Sequence, residues 1–324
     1  MKQIALIVIT LIVVSNVMCA KQKKYDSKLI SRREMSLEEL HREPINFELN
    51  IPYADTDNPR QRLDLYLPKN PNSNKLPVIV FFHGGGWMKG DKFEEAGRLM
   101  PFLRAGQYAS VLADYRLSSE AQWPAQIYDS KAVIRWVRAN ASRYGLDADH
   151  IGVWGESAGA HLVLMLGVSG DVPELEGDIG PYKGVSSKVA AVVNFYGPSD
   201  FLAMIGPPGD IDSTKSGAPM AKLLGGSLHE NPEKAKTASP ITYVNTNEPP
   251  VLTVHGTKDQ TVPYDQAVRL DATLREAGVA SYFITVKDGR HGFGNIADDR
   301  VKAFFDHYLR GKDVEISTEP LNQP

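Results

Sequence analysis

The chain has 324 residues, 42% of them hydrophobic and 23% charged, and its net charge is −3 at pH 7. This is the composition of an ordinary globular protein, and it excludes disordered, collagen-like and multi-span membrane classes. Because 36 Lys and Arg residues are matched by 39 Asp and Glu residues without long basic blocks, the sequence argues against a nucleic-acid-binding protein. The single cysteine, Cys19, rules out a disulfide framework and a cysteine-ligated metal centre.

The first 20 residues are predicted to be an export signal. Lys2 lies in a short positive stretch, residues 4–14 are apolar, and residues 15–20 offer a cleavage site. A transmembrane anchor is the alternative, but this apolar run is short for a span of about 20 residues. We therefore expect an exported protein, periplasmic or secreted, with no stable membrane span after processing. Cys19 precedes a polar segment, as at a bacterial lipoprotein processing site, so lipid anchoring there is a further alternative.

From residue 45 onward, short β-type runs alternate with longer helical patterns. Residues 21–44 before them are predicted to be an exposed extension or a short helix. The predicted strands are 47–53, 61–67, 78–83, 108–115, 151–155, 189–196, 250–255 and 282–287. The predicted helices are 94–104, 125–143, 158–168, 264–276 and 298–309.

This alternation predicts an α/β fold. The central strands are continuous apolar runs, which are typical of strands covered by helices on both faces. We expect one eight-stranded, mostly parallel sheet flanked by helices over residues 45–312, followed by a C-terminal tail at 313–324. Residues 201–248 have little periodicity, and a long irregular segment between two strands commonly carries function or covers a site. They are predicted to form a small cap or lid insertion.

The chemistry begins at the segment Gly155–Gly159, whose sequence is Gly-Glu-Ser-Ala-Gly. It lies between a predicted strand and an apolar helix, which is the context of a nucleophile elbow. Small residues are needed around the serine because it occupies a sharp, strained turn. Ser157 is therefore the candidate nucleophile.

A glycine-rich segment, His83-Gly84-Gly85-Gly86-Trp87, ends the third predicted strand. Glycines there let backbone N–H groups turn toward a developing oxyanion. Gly85 and Gly86, together with Ala158 after the nucleophile, would supply the donors. The alternative is a glycine-rich turn that only ends a strand.

Two further polar residues follow the last two predicted strands. Asp259 comes after the strand that ends at residue 255, and His291 comes after the strand that ends at residue 287. The carboxyl ends of strands are where open α/β sheets build their sites. Ser157, Asp259 and His291 in this order are therefore predicted to form a catalytic triad.

Together these motifs resemble the α/β-hydrolase esterases of the hormone-sensitive-lipase type, and more closely the bacterial feruloyl and acetyl-xylan esterase-like family. The resemblance runs from about residue 51 to residue 309 and rests on segments 62–68, 83–91, 114–117, 155–161, 255–263 and 291–293. One departure is Glu156, where hormone-sensitive-lipase relatives usually have Asp. The resemblance implies a serine carboxylesterase that acts through an acyl-enzyme on short-chain or carbohydrate-linked esters, such as the acetyl or feruloyl groups of plant polysaccharide.

In this mechanism His291 takes the serine proton, Asp259 orients the histidine, and no metal or organic cofactor is required. Small-molecule or carbohydrate esters are the expected partners, and oligomeric state is left open. An arylformamidase, another amidase or a serine peptidase would use the same triad. A non-catalytic binding protein that keeps the hydrolase fold is an alternative of another class.

Other polar and aromatic residues are candidates of lower rank. His161 is expected to be a packed helix residue rather than a second base, and Arg116 and Asp129 to form a structural ion pair. Four aromatic residues near predicted strand ends are candidates for lining the substrate pocket, although core packing is the alternative. They are Trp87, Phe201, Tyr264 and Phe293.

Overall fold

The computed structural model describes residues 35–204 and 217–323 of the chain. Their strands form one sheet in the order β1-β2-β4-β3-β5-β6-β7-β8-β9. The strands are β1 (Ile45–Pro52), β2 (Arg62–Pro68), β3 (Leu76–Phe82), β4 (Ala109–Ala113), β5 (Leu146–Glu156), β6 (Ala191–Phe195), β7 (Val251–Gly256), β8 (Ser281–Lys287) and β9 (Leu321–Asn322). The β1/β2 and β2/β4 pairs are antiparallel and the other neighbouring pairs are parallel. The predicted α/β class with a mostly parallel sheet is confirmed.

Among the described residues, the first α-helix precedes β1 and the other α-helices lie between strands. They are α1 (Leu37–Arg42), α2 (Ala96–Arg104), α3 (Ala125–Ala139), α4 (Ala141–Tyr144), α5 (Ala158–Val168), α6 (Pro219–Leu224), α7 (Pro232–Thr237), α8 (Asp265–Glu276) and α9 (Asp298–Arg310). None of the helices in this described part is long and apolar enough to cross a bilayer.

Each face of the sheet has its own hydrophobic core. On β3, Val78 and Val80 pack with α3, α5 and α8, whereas Ile79 and Phe81 pack with α2 and α9. Successive side chains of a strand point to opposite faces, so both sets are buried when helices cover both sides. This two-sided burial explains why the central strands have continuous apolar sequences.

The structure differs from the sequence prediction in strand number. A ninth strand, β9, lies in the segment that was predicted to be a tail, and it pairs Leu321 with Val286 and Asn322 with Lys287. Two residues are too few to show the alternation that predicts a strand. The predicted count of eight is therefore wrong, and the C-terminal segment is part of the sheet.

The predicted helix 125–143 is two helices. Asn140 separates α3 from α4, and its side-chain amide donates to the carbonyl oxygen of Trp136 at 2.9 Å. A side chain that bonds the backbone in this way competes with helix continuation. Gly145, with φ of 67°, then ends α4 and leads directly into β5.

The insertion between β6 and β7 is helical where it is described. It contains α6, α7 and two single turns of 3₁₀ helix, Leu202–Met204 and Pro240–Thr242. Leu223 of α6 accepts a backbone hydrogen bond from Trp123 at 2.8 Å, so the insertion is tied to the loop that precedes α3. Residues 205–216, the predicted export signal and Cys19 lie outside the described residues.

Candidate active site

Ser157 is the single residue between β5 and α5, and its backbone has a conformation that L-residues rarely adopt. Its φ is 53° and its ψ is −116°. The turn is held from both sides, because the Ser157 N–H donates to the carbonyl oxygen of Phe195 at 2.9 Å and the His161 N–H donates to the carbonyl oxygen of Ser157 at 3.0 Å. Strained backbone of this kind persists only where the surroundings fix it, and it is common at active sites.

The glycines on either side of Ser157 are required by close backbone contacts. A Cβ atom on Gly155 would lie 2.4 Å from the carbonyl group of Gly159, and one on Gly159 would lie 2.0 Å from the carbonyl oxygen of Phe82. Both distances are far below van der Waals contact. The Gly-Glu-Ser-Ala-Gly sequence is therefore what lets α5 start directly beside β3.

The structure brings Ser157, His291 and Asp259 together in one chain of hydrogen bonds. Nε2 of His291 lies 2.9 Å from Oγ of Ser157, and Nδ1 lies 2.7 Å from Oδ2 of Asp259. Because a carboxylate only accepts, Nδ1 carries the proton of the neutral ring and Nε2 is left to accept from the serine hydroxyl. This is the arrangement that turns a serine into a nucleophile.

Asp259 is fixed by four donors. Its Oδ1 accepts from the backbone N–H groups of Thr261 at 2.8 Å and Val262 at 2.9 Å. Besides His291, its Oδ2 faces Nε2 of the buried His255 at 3.3 Å. Burial alone would raise the pKa of the Asp259 carboxyl, but the bonds from His255 and His291 outweigh it and hold this pKa well below its usual range. Asp259 is therefore ionised at neutral pH.

The role of His255 toward Asp259 was not predicted from the sequence. Nε2 of His255 also lies 2.9 Å from the carbonyl oxygen of Val262. Since both neighbours accept, Nε2 carries the proton and bridges the carboxylate to its own loop. The sequence signal was present but weak: His255 precedes Asp259 by four residues and lies near the end of β7.

The glycine-rich loop after β3 lies next to Ser157. A Cβ atom on Gly84 would be 3.5 Å from Cβ of Ser157. Gly85 has φ of 108° and Gly86 has φ of 62°, and a Cβ atom on Gly85 would lie 2.1 Å from the carbonyl oxygen of Lys89. Only glycine fits at position 85, in agreement with the role predicted for glycines in this loop.

The three backbone N–H groups predicted for the oxyanion hole have no backbone partner among the bonds of the described residues. Among the described residues, no backbone hydrogen bond outside the helices and strands uses the N–H of Gly85 or Gly86. Ala158 is the first residue of α5, where an N–H has no partner within the helix. These are the three donors that the sequence predicted for an oxyanion hole.

Buried groups hold the glycine-rich loop in place. Nδ1 of His83 lies 2.7 Å from the carbonyl oxygen of Gly84, and the His83 ring stacks on Tyr115 with centroids 4.4 Å apart. Tyr115 in turn donates to the carbonyl oxygen of His83 at 2.9 Å. Burial works to raise the pKa of Asp114 nearby, but His83 and Lys92 outweigh it and lower that pKa. The glycine-rich loop is therefore held by buried groups that are hydrogen-bonded or charged.

The four aromatic candidates for the substrate pocket are largely buried. Trp87 is 3% exposed and Phe201 is 0% exposed, and both pack against His161 with ring centroids 5.2 and 5.0 Å apart. Phe293 is buried beside Tyr196, and the half-buried Tyr264 hydrogen-bonds Thr285 at 2.6 Å. Their burial and their contacts with other side chains favour core packing, and a direct contact with substrate stays a prediction.

Tyr196 is a neighbour of the site that the sequence analysis missed. It follows β6 with φ of 46°, and its ring packs edge-on against His291 with centroids 4.7 Å apart. In the sequence it reads as the end of an apolar strand. The turn residues Gly197 and Pro198 directly after it were the available signal.

The sequence predicted that His161 is a packed helix residue and that Arg116 and Asp129 form an ion pair, and the structure has both features. His161 is fully buried, and its Nε2 lies 2.7 Å from the carbonyl oxygen of Ala238. Burial lowers the pKa of His161 to about 4. Arg116 and Asp129 form the expected ion pair, with Nε and Oδ2 2.8 Å apart.

A mostly parallel sheet, a nucleophile elbow after β5 and hydrogen-bonded Ser, His and Asp at the carboxyl ends of its strands define an α/β hydrolase. The BD-FAE family model matches residues 63–274, and the chain belongs to this family of α/β-hydrolase esterases. Esterase LipC of Mycobacterium tuberculosis is 30% identical over 243 residues, covering 73% of this chain and 58% of LipC. Esterase LipQ of the same organism is 31% identical and is matched over 56% of its length. The chain thus spans a little over half the length of these curated relatives.

Solved structures show the same similarity. A truncated carbohydrate esterase from gut microbiota is 34% identical with a TM-score of 0.74, covering 82% of this chain and 95% of that one. The bifunctional GH43-CE protein of Bacteroides eggerthii is 32% identical with a TM-score of 0.74, covering 82% of this chain and 35% of that one. The Est2 esterase of Thermogutta terrifontis, solved with butyrate bound, is 27% identical with a TM-score of 0.60 and covers 76% and 84% of the two chains.

Proposed function

We propose that this protein is a serine carboxylesterase in which Ser157 is the nucleophile, His291 the general base and acid, and Asp259 the group that orients His291. The observation that carries the proposal is the continuous hydrogen-bond chain from Oγ of Ser157 through both nitrogens of His291 to the ionised Asp259. Membership of an esterase family supports the same chemistry.

The reaction divides into two steps. Oγ of Ser157 attacks the ester carbonyl carbon while Nε2 of His291 takes the hydroxyl proton, and the imidazolium then gives that proton to the leaving alkoxide, which departs as the alcohol. Water, deprotonated by His291, attacks the acyl-serine, and the imidazolium returns this proton to Oγ of Ser157 as the carboxylic acid is released. Ionised Asp259 stabilises the imidazolium in both steps.

The negative charge on the carbonyl oxygen is the second requirement of this mechanism. The N–H groups of Gly85, Gly86 and Ala158 would bind that oxyanion, and one such donor contributes on the order of a hundredfold or more in rate. None of these steps calls for a metal or an organic cofactor.

The proposed substrates are short-chain esters or esters carried by carbohydrate, such as the acetyl or feruloyl groups of plant polysaccharide. Support comes from the similarity of this chain to the truncated carbohydrate esterase from gut microbiota described above. An amide-cleaving relative remains the rival within the same chemistry, because an identical triad serves both reactions.

The first test is release of p-nitrophenol from p-nitrophenyl acetate by residues 21–324 and by its Ser157→Ala variant. We expect the variant to lose at least about three orders of magnitude in kcat/KM. Equal rates for the two proteins, or none for either, would refute the assignment. Acetylated xylan, methyl ferulate, N-formylkynurenine and an aryl amide, compared on the wild type, then separate the ester substrates from the amidase rival.

We also propose that the protein is exported, on the basis of its first 20 residues. Expression of the full chain in a bacterial host, followed by fractionation, should place a shortened product outside the cytoplasm. A Cys19→Ala variant that leaves the membrane fraction would indicate lipid anchoring, and one that is distributed as the wild type would exclude it.

A further inference from the structure

Arg98 is a buried cation directly behind the nucleophile elbow. It lies on α2, and only 2% of its side chain is exposed. Its guanidinium bonds the carboxylate of Glu156, the carbonyl oxygen of Gly294 at 2.6 Å and Oδ1 of Asp298 at 2.8 Å. Burying an arginine is costly unless its donors are satisfied, and these three partners satisfy them.

The partners of Arg98 come from the two segments that carry the reacting side chains. Glu156 is the last residue of β5 and immediately precedes Ser157. Gly294 follows His291 by three residues, and Asp298 starts α9 at the end of the same loop. One rigid guanidinium therefore joins the serine segment to the histidine segment.

The orientation of the guanidinium is fixed by aromatic rings as well as by hydrogen bonds. Its central carbon lies 4.6 Å from the ring of Trp154 and 4.9 Å from the ring of Phe195. Phe195 is also the residue whose carbonyl oxygen holds the N–H of Ser157. A planar fork held between rings is a property of arginine that lysine does not share.

We propose that Arg98 is a positioning residue that sets the separation of Ser157 and His291 by bonding the segments that carry both of them. The proposal rests on the proposed function of this triad. The two side chains lie 134 residues apart in sequence, and their 2.9 Å contact depends on the relative placement of two separate loops. A misplacement of about 1 Å at such a contact costs on the order of a hundredfold in rate.

The test compares Arg98→Met and Arg98→Lys with Arg135→Met. Arg135 is a matched control, because it is 1% exposed and bonds Glu176 and the carbonyl oxygen of Ile179, neither of which touches the triad. For each variant, kcat and KM for p-nitrophenyl acetate are measured, and kcat is divided by the folded fraction from circular dichroism.

Both Arg98 variants are expected to lose about a hundredfold in kcat with KM changed less than about threefold. Lysine keeps the charge but cannot span both loops, so Arg98→Lys should not restore the rate. Arg135→Met should lose stability while keeping kcat per folded molecule. Equal losses in kcat for the Arg98 and Arg135 variants, or an Arg98→Met enzyme within threefold of wild type, would overturn the proposal.

Glu156→Gln provides a second route if the Arg98 variants fold poorly. It removes the charged partner beside Ser157 and should lower kcat by about tenfold with little change in KM. Combined with Arg98→Lys, it should lower kcat no further than Arg98→Lys alone, because both changes break one connection. Additive losses would contradict the proposal. Activity that survives Ser157→Ala would instead refute the proposed function, so the two failures are distinguishable.

Discussion

At the scale of single residues, the site depends on a conformation that its own side chain disfavours. Ser157 is held at φ of 53° by hydrogen bonds on both sides of the turn. Such a conformation costs an L-residue about 1 to 3 kcal/mol, whereas glycine adopts it readily. The backbone conformation of Ser157, the proposed nucleophile, is therefore adopted at a cost in stability.

This strain predicts different stabilities for two inactive variants. Ser157→Gly should be about 1 kcal/mol more stable than Ser157→Ala, because glycine relieves the strain and alanine retains it. For a domain of this size the difference corresponds to about 2 to 4 °C in Tm. Differential scanning calorimetry measures it, and equal Tm values would show that the elbow is not strained.

The buried His161 predicts a loss of stability on acidification. Burial lowers its pKa from 6.5 to about 4, so between these values the unfolded chain binds a proton that the folded chain does not. The contribution of His161 to stability should be constant above pH 6.5 and should fall by about 3 kcal/mol as the pH drops to 4.

Urea unfolding of wild type and His161→Gln at several pH values checks this prediction. Glutamine can still donate to the carbonyl oxygen of Ala238 but does not titrate, so the difference between the two proteins isolates His161. The comparison is needed because burial raises the pKa of Asp64 and of Glu248 to about 7, which acts in the opposite sense. If the difference in the free energy of unfolding between the two proteins does not change with pH, the lowered pKa of His161 is refuted.

At the scale of elements, the position of the elbow depends on the contact between the start of α5 and β3. The absence of a side chain at Gly159 is what permits that contact. The helix then buries every one of its residues between the sheet and α3. The position of Ser157 is thus set by the packing of two elements and not by its turn alone.

Gly159→Ala tests this packing. A Cβ atom there would lie 2.0 Å from the carbonyl oxygen of Phe82, so α5 must move. We expect about 1 to 3 kcal/mol of destabilisation and about a hundredfold loss in kcat/KM. Gly184→Ala is the control, because nothing lies within 4 Å of its added Cβ, and it should leave Tm and activity unchanged. Equal changes in Tm and in kcat/KM for the two variants would contradict this prediction.

The sequence predicted the elements and residues whose signals are local. The eight longer strands have apolar runs, and the three triad residues each follow such a run, so the sheet itself brings them together. The sequence could not predict what depends on distant partners. Arg98 reads as an ordinary helix cation, and its link to Glu156, 58 residues away, exists only in the folded chain. β9 is too short to leave a pattern.

At the scale of the whole molecule, the C-terminal segment contributes to the placement of His291. Oε1 of Gln323 accepts from the N–H of Arg290 at 2.8 Å, and the N–H of Gln323 donates to the carbonyl oxygen of Lys287 at 3.2 Å. The loop between β8 and α9 is therefore bonded to the chain end on one side and to Arg98 on the other.

Gln323→Ala should weaken this support modestly. One lost hydrogen bond costs about 0.5 to 1.5 kcal/mol of stability, so Tm should fall by a few degrees at most. Because the loop that carries His291 is then less well positioned, kcat should fall by about two- to tenfold. Asn322→Ala, at the exposed neighbouring position, should keep full activity. Steady-state kinetics on both variants tests this prediction. If Gln323→Ala is as active as Asn322→Ala, the hydrogen bond from Arg290 to Gln323 has no role in activity.

β9 also closes part of an edge of the sheet. An uncovered strand presents a row of unpaired N–H and C=O groups on which a strand of another molecule can add. β9 takes up these groups at Val286 and Lys287, the end of β8 from which the His291 loop departs. Another chain must displace the C-terminal segment before it can pair here, so the edge beside the triad is protected against intermolecular strand addition by the protein itself.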